Sequence, residues 1–460
     1  MHLGVILNRV FRMKDNPLFQ YIVKHQNEIN KLYFILPLED LTDASEVKRD
    51  YYHKVVKGFV NALDKHDIQP HIVTYEKLGE LAETLALSHV LVAKDIMSYH
   101  KEIYDYPHVK KAFENHQVTV IGQRVNHYFE PTKTFNKQQQ PYKVFTSFYK
   151  ANRKDLVNTP KKNYQFKHLS QITEKGSNQI DLNFKNNKDL EQLARKAWGE
   201  FLNGNIAHYD KLIDDVSQDF VSGFGKYLAY GLLDIREIIN DLLEGYDSDE
   251  TNYEAFIREV IFREFYYVLM TQYPETATKS FYEKYRNMQW SYNKTHFEVW
   301  KKGQTGYPIV DAAMIKLNRT GYMHNRLRMI VSQFLTKNLF IDWTWGEDYF
   351  RKYLIDYDNA SNVHGWQWSA STGTDAVPYF RMFNPIRQSE KFDSNGYFIK
   401  SEIELFKEVP THFIHNPTLY RSELYEKYNI EFDKDYPNSI VNHNESRKYV
   451  LEKFKSINKY

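Results

Sequence analysis

Cysteine is absent from all 460 residues. That excludes disulfides, thiolate metal sites and cysteine nucleophiles together, and it fits a reducing compartment such as the cytoplasm. Charge of one sign is lacking too. Lys plus Arg number 61 and Asp plus Glu 59, a net +2, so any surface for a polyanion must be a local patch. No long hydrophobic run occurs. The apolar stretch LGVIL near the start is too short for a signal peptide or a membrane span, and a soluble cytoplasmic chain is expected. Tryptophan is scarce, with seven against 36 tyrosines. Yet two tryptophans flank a single glutamine in NVHGWQWSASTGTD, residues 362–375. This stretch has no aliphatic periodicity and reads as a polar loop punctuated by glycine.

The first third alternates between two patterns. LGVILN, KLYFILPL, PHIVTYE, HVLVAKD and HQVTVIG read as short buried strands, with helical periodicity between them, as in YYHKVVKGFVNALDKH and EKLGELAETLALS. Such alternation predicts a doubly wound α/β domain over 1–130 with a parallel sheet and helices on both faces. No GxGxxG or GxxxxGK[ST] follows any strand, so the usual dinucleotide and P-loop readings fail. A ligand is still expected beyond the carboxyl ends of the strands. Residues 131–190 change character. From Pro131 to Gln165 there are eight Lys or Arg and one acidic residue, which predicts a solvated interdomain linker with a minor option of a basic rim.

Residues 191–460 read as all-helical. YEAFIREVIFREFYYVLM and HNRLRMIVSQFLTKNLF carry helical periodicity. In the second, Leu327, Ile330, Val331, Phe334 and Leu335 share one face. Asn325, Arg328, Met329 and Ser332 form another stripe at i, i+3, i+4 and i+7. A solvated face is the ordinary reading of that stripe, but its Arg, Asn and Met mix differs from the usual Glu/Lys surface.

Four segments then stand in fixed order: KGQTGYPIVDAAM (302–314), TGYMHNRLRM (320–329), DYDNASNVHGWQW (356–368) and STGTDAVPYFRMFNP (371–385). Together with RVFRMKDNPLF, PYKVFTSFYK and FIREVIFREFYY they closely resemble the photolyase/cryptochrome family, nearest to bacterial cyclobutane pyrimidine dimer (CPD) photolyases. The resemblance spans nearly the whole chain. It implies an α/β antenna-type domain, a long linker and an all-α FAD-binding domain. It further implies light-dependent repair of pyrimidine dimers in UV-damaged DNA by electron transfer from reduced FAD, in a protein expected to be monomeric.

Carried over residue by residue, the resemblance implies FAD contacts from Tyr209, Ser222, Gly223, Phe224, Gly225, Arg263, Asn325, Arg328, Asp356, Asp358 and Asn362. An Arg328–Asp356 pair would set a cation beside a flavin anion. Asn362 resembles the residue facing flavin N5. Trp366, Trp343 and Trp290 match the family's electron relay, and Trp368 matches the wall of the lesion pocket, so the two neighbouring indoles would serve flavin and DNA respectively. A tight loop would join them, with Gly365 and the small residues after it. Glu259 and Asn325 resemble lesion-edge contacts, and Met329 marks the cyclobutane-dimer type. Phe262, Arg326 and Arg381 would contact DNA.

Three positions depart from the family pattern. VSGFG (221–225) replaces the TSxLS phosphate cradle, Phe262 replaces a stacking tryptophan, and Tyr322 stands in TGYMHN for Trp. A second, antenna chromophore (folate, deazaflavin or flavin) is open, with Glu102 the nearest candidate ligand. The rival to a repair enzyme is a cryptochrome-like blue-light photosensor.

Overall fold

Five β-branched and aliphatic runs in the N-terminal third form the strands β1 (His2–Ile6), β2 (Lys31–Leu38), β3 (His71–Thr74), β4 (His89–Ala93) and β5 (Thr119–Gln123). The structure is a computed structural model that describes residues 1–95, 106–160, 169, 171–177, 189–217 and 223–457. All four strand pairings are parallel, in the order β3-β2-β1-β4-β5. Alternate residues of β2 enter different cores, as the two-residue period requires. Leu32, Phe34 and Leu36 join one cluster with Phe19, Val55 and Phe59. Tyr33 and Ile35 join another with Leu78, Leu81, Val109 and Phe113. The doubly wound expectation holds.

The crevice beyond β1 and β4, where the strand order reverses, is filled among the described residues. Arg9 pairs there with Glu39, both buried, and the Arg9 guanidinium lies 5.2 Å from the Tyr230 ring centroid. Asp95 accepts from the backbone N–H groups of Val125, Asn126 and His127. Glu102 lies outside the described residues.

The linker is not solvated along its whole length. The helix Phe145–Asn152 buries Phe145 and Phe148 in the main core, against Phe265 of the helix Glu250–Gln272. That 23-residue helix starts at Asp249, whose side chain accepts from Asn252 N–H, and it is buried on most sides. Below it, Glu264 holds His127 at 2.9 Å and accepts from Tyr128 and Phe129 N–H, which ties the helix to the segment after β5.

One local expectation is overturned. The WQW stretch is a helix, Asn359–Ala370, not a loop. Asp358 caps it by accepting from Ser361 N–H at 2.8 Å, and Ser371 ends it at φ 62° in the left-handed region. Its faces meet polar cavity wall as well as core, so no apolar stripe marks it in the sequence. Gly365 is no turn residue; a Cβ there would meet open space.

Candidate active site

The helices Glu250–Gln272, Asn325–Gln333 and Asn359–Ala370 converge on a cavity of about 440 Å³. The polar stripe Asn325, Arg328, Met329 and Ser332 lines it, so that stripe is a cavity wall and not a solvated face. From the long helix come Glu259, Phe262, Arg263 and Tyr266. From the segment 354–369 come Asp356, Asp358, Asn362, Trp366 and Trp368. Thirteen of the residues singled out in the sequence therefore share one cavity.

Electrostatics divide this cavity into two ends. At one, Arg328 donates from Nη2 to Asp356 Oδ2 at 2.7 Å and from Nε to the Met323 carbonyl at 2.8 Å. The second oxygen of Asp356 is buried without a partner. Asp358 is buried, which opposes its ionisation, but the charges of Arg263 and His127 and the Ser361 N–H outweigh burial and hold its carboxyl below the ordinary range. Asn362 Nδ2 donates to Glu347 Oε1 at 3.1 Å, and the Tyr357 hydroxyl donates to the same oxygen at 3.0 Å. At the other end, burial raises the Glu259 carboxyl to about 7; nearby Arg258 opposes the shift and Asp214 adds to it.

The aromatic residues are placed as follows. Trp366 is buried, packs edge-on to Phe350 at 5.0 Å and to Trp300 at 6.1 Å, and its indole N–H has no partner. A Cβ on Gly346 would stand 2.1 Å from its ring, so only glycine lets the helix Trp343–Tyr353 lie against it. Trp343 is buried, with its indole N–H 3.4 Å from Ser280 Oγ, and Trp290 packs on Phe340 at 4.9 Å. Phe262 is stacked flush on linker residue Phe145, with centroids 3.3 Å apart and planes 7° apart. Its other side lines the cavity.

Several expected residues lie elsewhere. Arg326 is engaged by Asp214 through Nε at 3.0 Å and Nη2 at 2.6 Å, over the ring of Phe392. Arg381 is exposed on the segment between 375 and 384. Tyr209 and Phe224 are buried in one aromatic cluster around Phe201, so Phe224 has only its backbone to offer a ligand. A Cβ on Gly225 would stand 3.0 Å from Asp356 Oδ2, which sets this loop against the Arg328–Asp356 pair. Gly223 has φ 62°, and Ser222 lies outside the described residues.

Sequence reasoning missed Tyr266, Phe350, Ser361 and Ser369 in the walls, and Glu347 behind Asn362. Glu347 carried no signal, because a buried Glu within WTWGEDYF looks like any helical surface residue.

The donor set suits a flavin dinucleotide. An unpartnered buried carboxylate oxygen, a guanidinium, a side-chain amide and a side-chain-free wall at Gly365 all meet the cavity. Together, the five-stranded parallel domain and the helical domain with this cavity define a flavoprotein of two domains. A model of the family described as "FAD binding domain of DNA photolyase" matches residues 256–456, and one described as "DNA photolyase" matches residues 5–165. The chain is 33% identical to a deoxyribodipyrimidine photo-lyase of Alkalihalophilus pseudofirmus, over 98% of this chain and 97% of that one. A class III photolyase from Agrobacterium tumefaciens superposes with a TM-score of 0.87 at 26% identity, covering 100% of this chain and 98% of that one. A Sulfolobus tokodaii photolyase solved with two FAD molecules gives 0.75 at 27% identity, covering 99% of this chain and 100% of that one. The chain belongs to the photolyase/cryptochrome family, and its helical half is an FAD-binding domain.

Proposed function

We propose that the protein is a light-dependent DNA repair enzyme that splits cyclobutane pyrimidine dimers. The observation that carries this reading is the meeting, in one cavity, of the Arg328–Asp356–Asn362 end with the Glu259–Asn325–Met329–Trp368 end. Reduced FAD, when bound, supplies the light-driven electron. The chain's own residues bind, orient and protonate. Arg328 places a fixed cation beside Asp356 at the flavin-facing end. Asn362 is held by Glu347 with its amide oxygen left for the cavity. Glu259, with its carboxyl raised to about 7, keeps a share of its protons at neutral pH and can donate to a base carbonyl. Asn325 offers an amide to the same base edge, and Trp368 an indole face.

Photolyases are base-flipping enzymes as a class, and residues that line a cavity are reached by a lesion only when it leaves the stack. Phe262, braced by Phe145, would form part of the aromatic wall that receives it. Trp366, Trp343 and Trp290 would relay electrons inward, and Arg326 and Arg381 would contact phosphates. No helix among the described residues is long and apolar enough to cross a membrane, and a monomer acting in the cytoplasm is the proposed setting.

The test is loss of cyclobutane dimers from UV-irradiated oligothymidine, in light and in darkness, with chemically reduced holoprotein. Loss in the light alone supports the proposal. No loss from protein shown to hold reduced FAD turns the reading to a photosensor without repair activity.

A further inference from the structure

We propose that the C-terminal helix His443–Ile457 carries an outer DNA-binding surface. On it Arg387, Arg447, Lys448 and Lys455 hold the phosphate backbone of the duplex arm beside the lesion. The surface rests on the repair reading above and extends it beyond the cavity, whose walls these four residues do not form.

The argument starts from how the helix is anchored. Its Phe454 ring is stacked parallel on Tyr379, with centroids 5.4 Å apart. Tyr379 belongs to the segment that leads away from Trp368 and carries Arg381, so the helix lies against that segment. Toward the helix's start, Asn338 Nδ2 lies 3.2 Å from His443 Nδ1. Burial first, then the charges of Arg447 and Arg387, hold this half-buried histidine below its ordinary range. Two guanidinium groups from different helices, Pro385–Phe392 and His443–Ile457, thus act on one ring.

Nothing on the protein pairs with them. Arg381, Arg387, Arg447, Lys448 and Lys455 are exposed, and none forms an ion pair among the described residues. Arg326 and Arg351, by contrast, are each tied to a carboxylate. At 3.6 residues per turn, Arg447, Lys448 and Lys455 fall on one flank of the helix. That flank runs about 12 Å from Arg447 to Lys455, the axial rise of three to four phosphates on one strand. Glu445 and Glu452 border it, and Glu390 lies on the helix of Arg387, so the five cations outnumber the three carboxylates. A neutral partner would leave these cations crowded together. A polyanion of regular spacing relieves them along the whole line. Contacts of this kind reach the backbone and not the bases, so they serve damaged and undamaged duplex alike.

The test is the affinity of the full-chain holoprotein, by fluorescence anisotropy over a range of salt, for three DNAs. These are an undamaged duplex, the same duplex with one dimer, and a dimer-bearing oligothymidine too short to reach the helix. The double variant Arg387→Gln, Arg447→Gln should weaken binding to both duplexes by about tenfold or more at low salt. It should also lower the slope of log affinity against log salt by about 2, one for each phosphate contact. Affinity for the short oligothymidine should change far less. Lys448→Gln with Lys455→Gln should act in the same direction, and it decides if the arginine pair does not fold, as judged by the flavin spectrum. Parental affinity and slope on the duplexes overturn the proposal. So does a loss as large on the short oligothymidine, which would place these residues at the lesion. Light-driven repair of the short oligothymidine by the parental protein checks the repair reading separately, so the two can fail apart.

Discussion

The side-chain nitrogen of Asn362 donates to Glu347 Oε1 at 3.1 Å, and this fixes which way the amide faces. Glu347 is buried and also accepts from the Tyr357 hydroxyl, so its lone pairs set the Asn362 orientation from behind. The amide oxygen is the atom left for the cavity. With Asn362 facing the flavin ring as proposed, an oxygen there would accept from a protonated ring nitrogen and so favour the reduced cofactor over the oxidised one. Glu347→Gln replaces the carboxylate with a group that can donate or accept, and Asn362 loses its forced orientation. Air reoxidation of chemically reduced FAD on this variant, followed by visible absorbance, should speed up by roughly fivefold, the worth of about one net hydrogen bond. An unchanged rate would remove Glu347 from this role.

Glu259 makes the proposed repair depend on pH. Its folded-state carboxyl lies at about 7, raised first by burial, so it is mainly protonated below 7 and ionised above. If the protonated form donates to the lesion, binding of dimer-containing DNA should fall as pH rises from 6 to 8, at constant salt. Stability moves in the same direction. Between the ordinary carboxylate range and 7 the folded state binds more protons than the unfolded one, so stability declines as pH rises through that window. Glu259→Gln keeps an N–H donor and cannot ionise, so its binding profile should be flat. A variant profile with the parental slope would place the titration elsewhere.

Trp366 rests on Gly346 with no room for a methyl group between them. Two substitutions approach the proposed relay from its two sides. Trp366→Phe should slow photoreduction of oxidised FAD while leaving repair by chemically reduced protein mostly intact. Gly346→Ala should displace the indole and slow photoreduction as well, at a cost in stability of about 1–3 kcal/mol for overpacking. Photoreduction at the parental rate in Trp366→Phe would refute the relay assignment.

How much of this was legible in the sequence depended on how each residue is surrounded. The strands were readable because buried parallel strands are continuous apolar runs, and β2 is such a run from Leu32 to Pro37. The helix Asn359–Ala370 was not, because buried polar partners replace aliphatic ones: Gln367 donates to the Thr276 and Lys279 carbonyls and accepts from Phe281 N–H. Its cap, Asp358, was noticed for its carboxylate and not for the helix it starts. The Arg328–Asp356 pair was expected from the family resemblance of the motifs that hold it, whereas the Asp214–Arg326 pair joins residues 112 apart with no motif around Asp214.

Phe262 lines the cavity, and its brace shows how the ring is held. One face is covered by Phe145, which is itself almost fully buried, and the Arg258 guanidinium lies 4.9 Å from the Phe145 ring centroid. Phe145→Ala removes both a core ring and this support. It should cost about 3–5 kcal/mol of stability, read by thermal unfolding, and weaken binding to dimer-containing DNA beyond its effect on undamaged DNA. Equal weakening on both DNAs would mean that the brace does not serve the lesion.

Arg326 cannot hold a DNA phosphate and keep both of its bonds to Asp214. The pair is partly exposed, with the Asp214 side chain at 44%, so a phosphate can compete for the guanidinium without crossing a buried barrier. Asp214 thus orients Arg326 in the free protein and opposes DNA by its charge. Asp214→Asn should tighten DNA binding and make it more salt-sensitive. Arg326→Gln should weaken binding and reduce the slope of log affinity against log salt by about 1, the share of one phosphate contact. Asp214→Asn in the Arg326→Gln background should then do little beyond removing one repulsive charge. If Asp214→Asn weakens binding instead, the carboxylate acts by presenting Arg326 to the phosphate, and the competition picture fails.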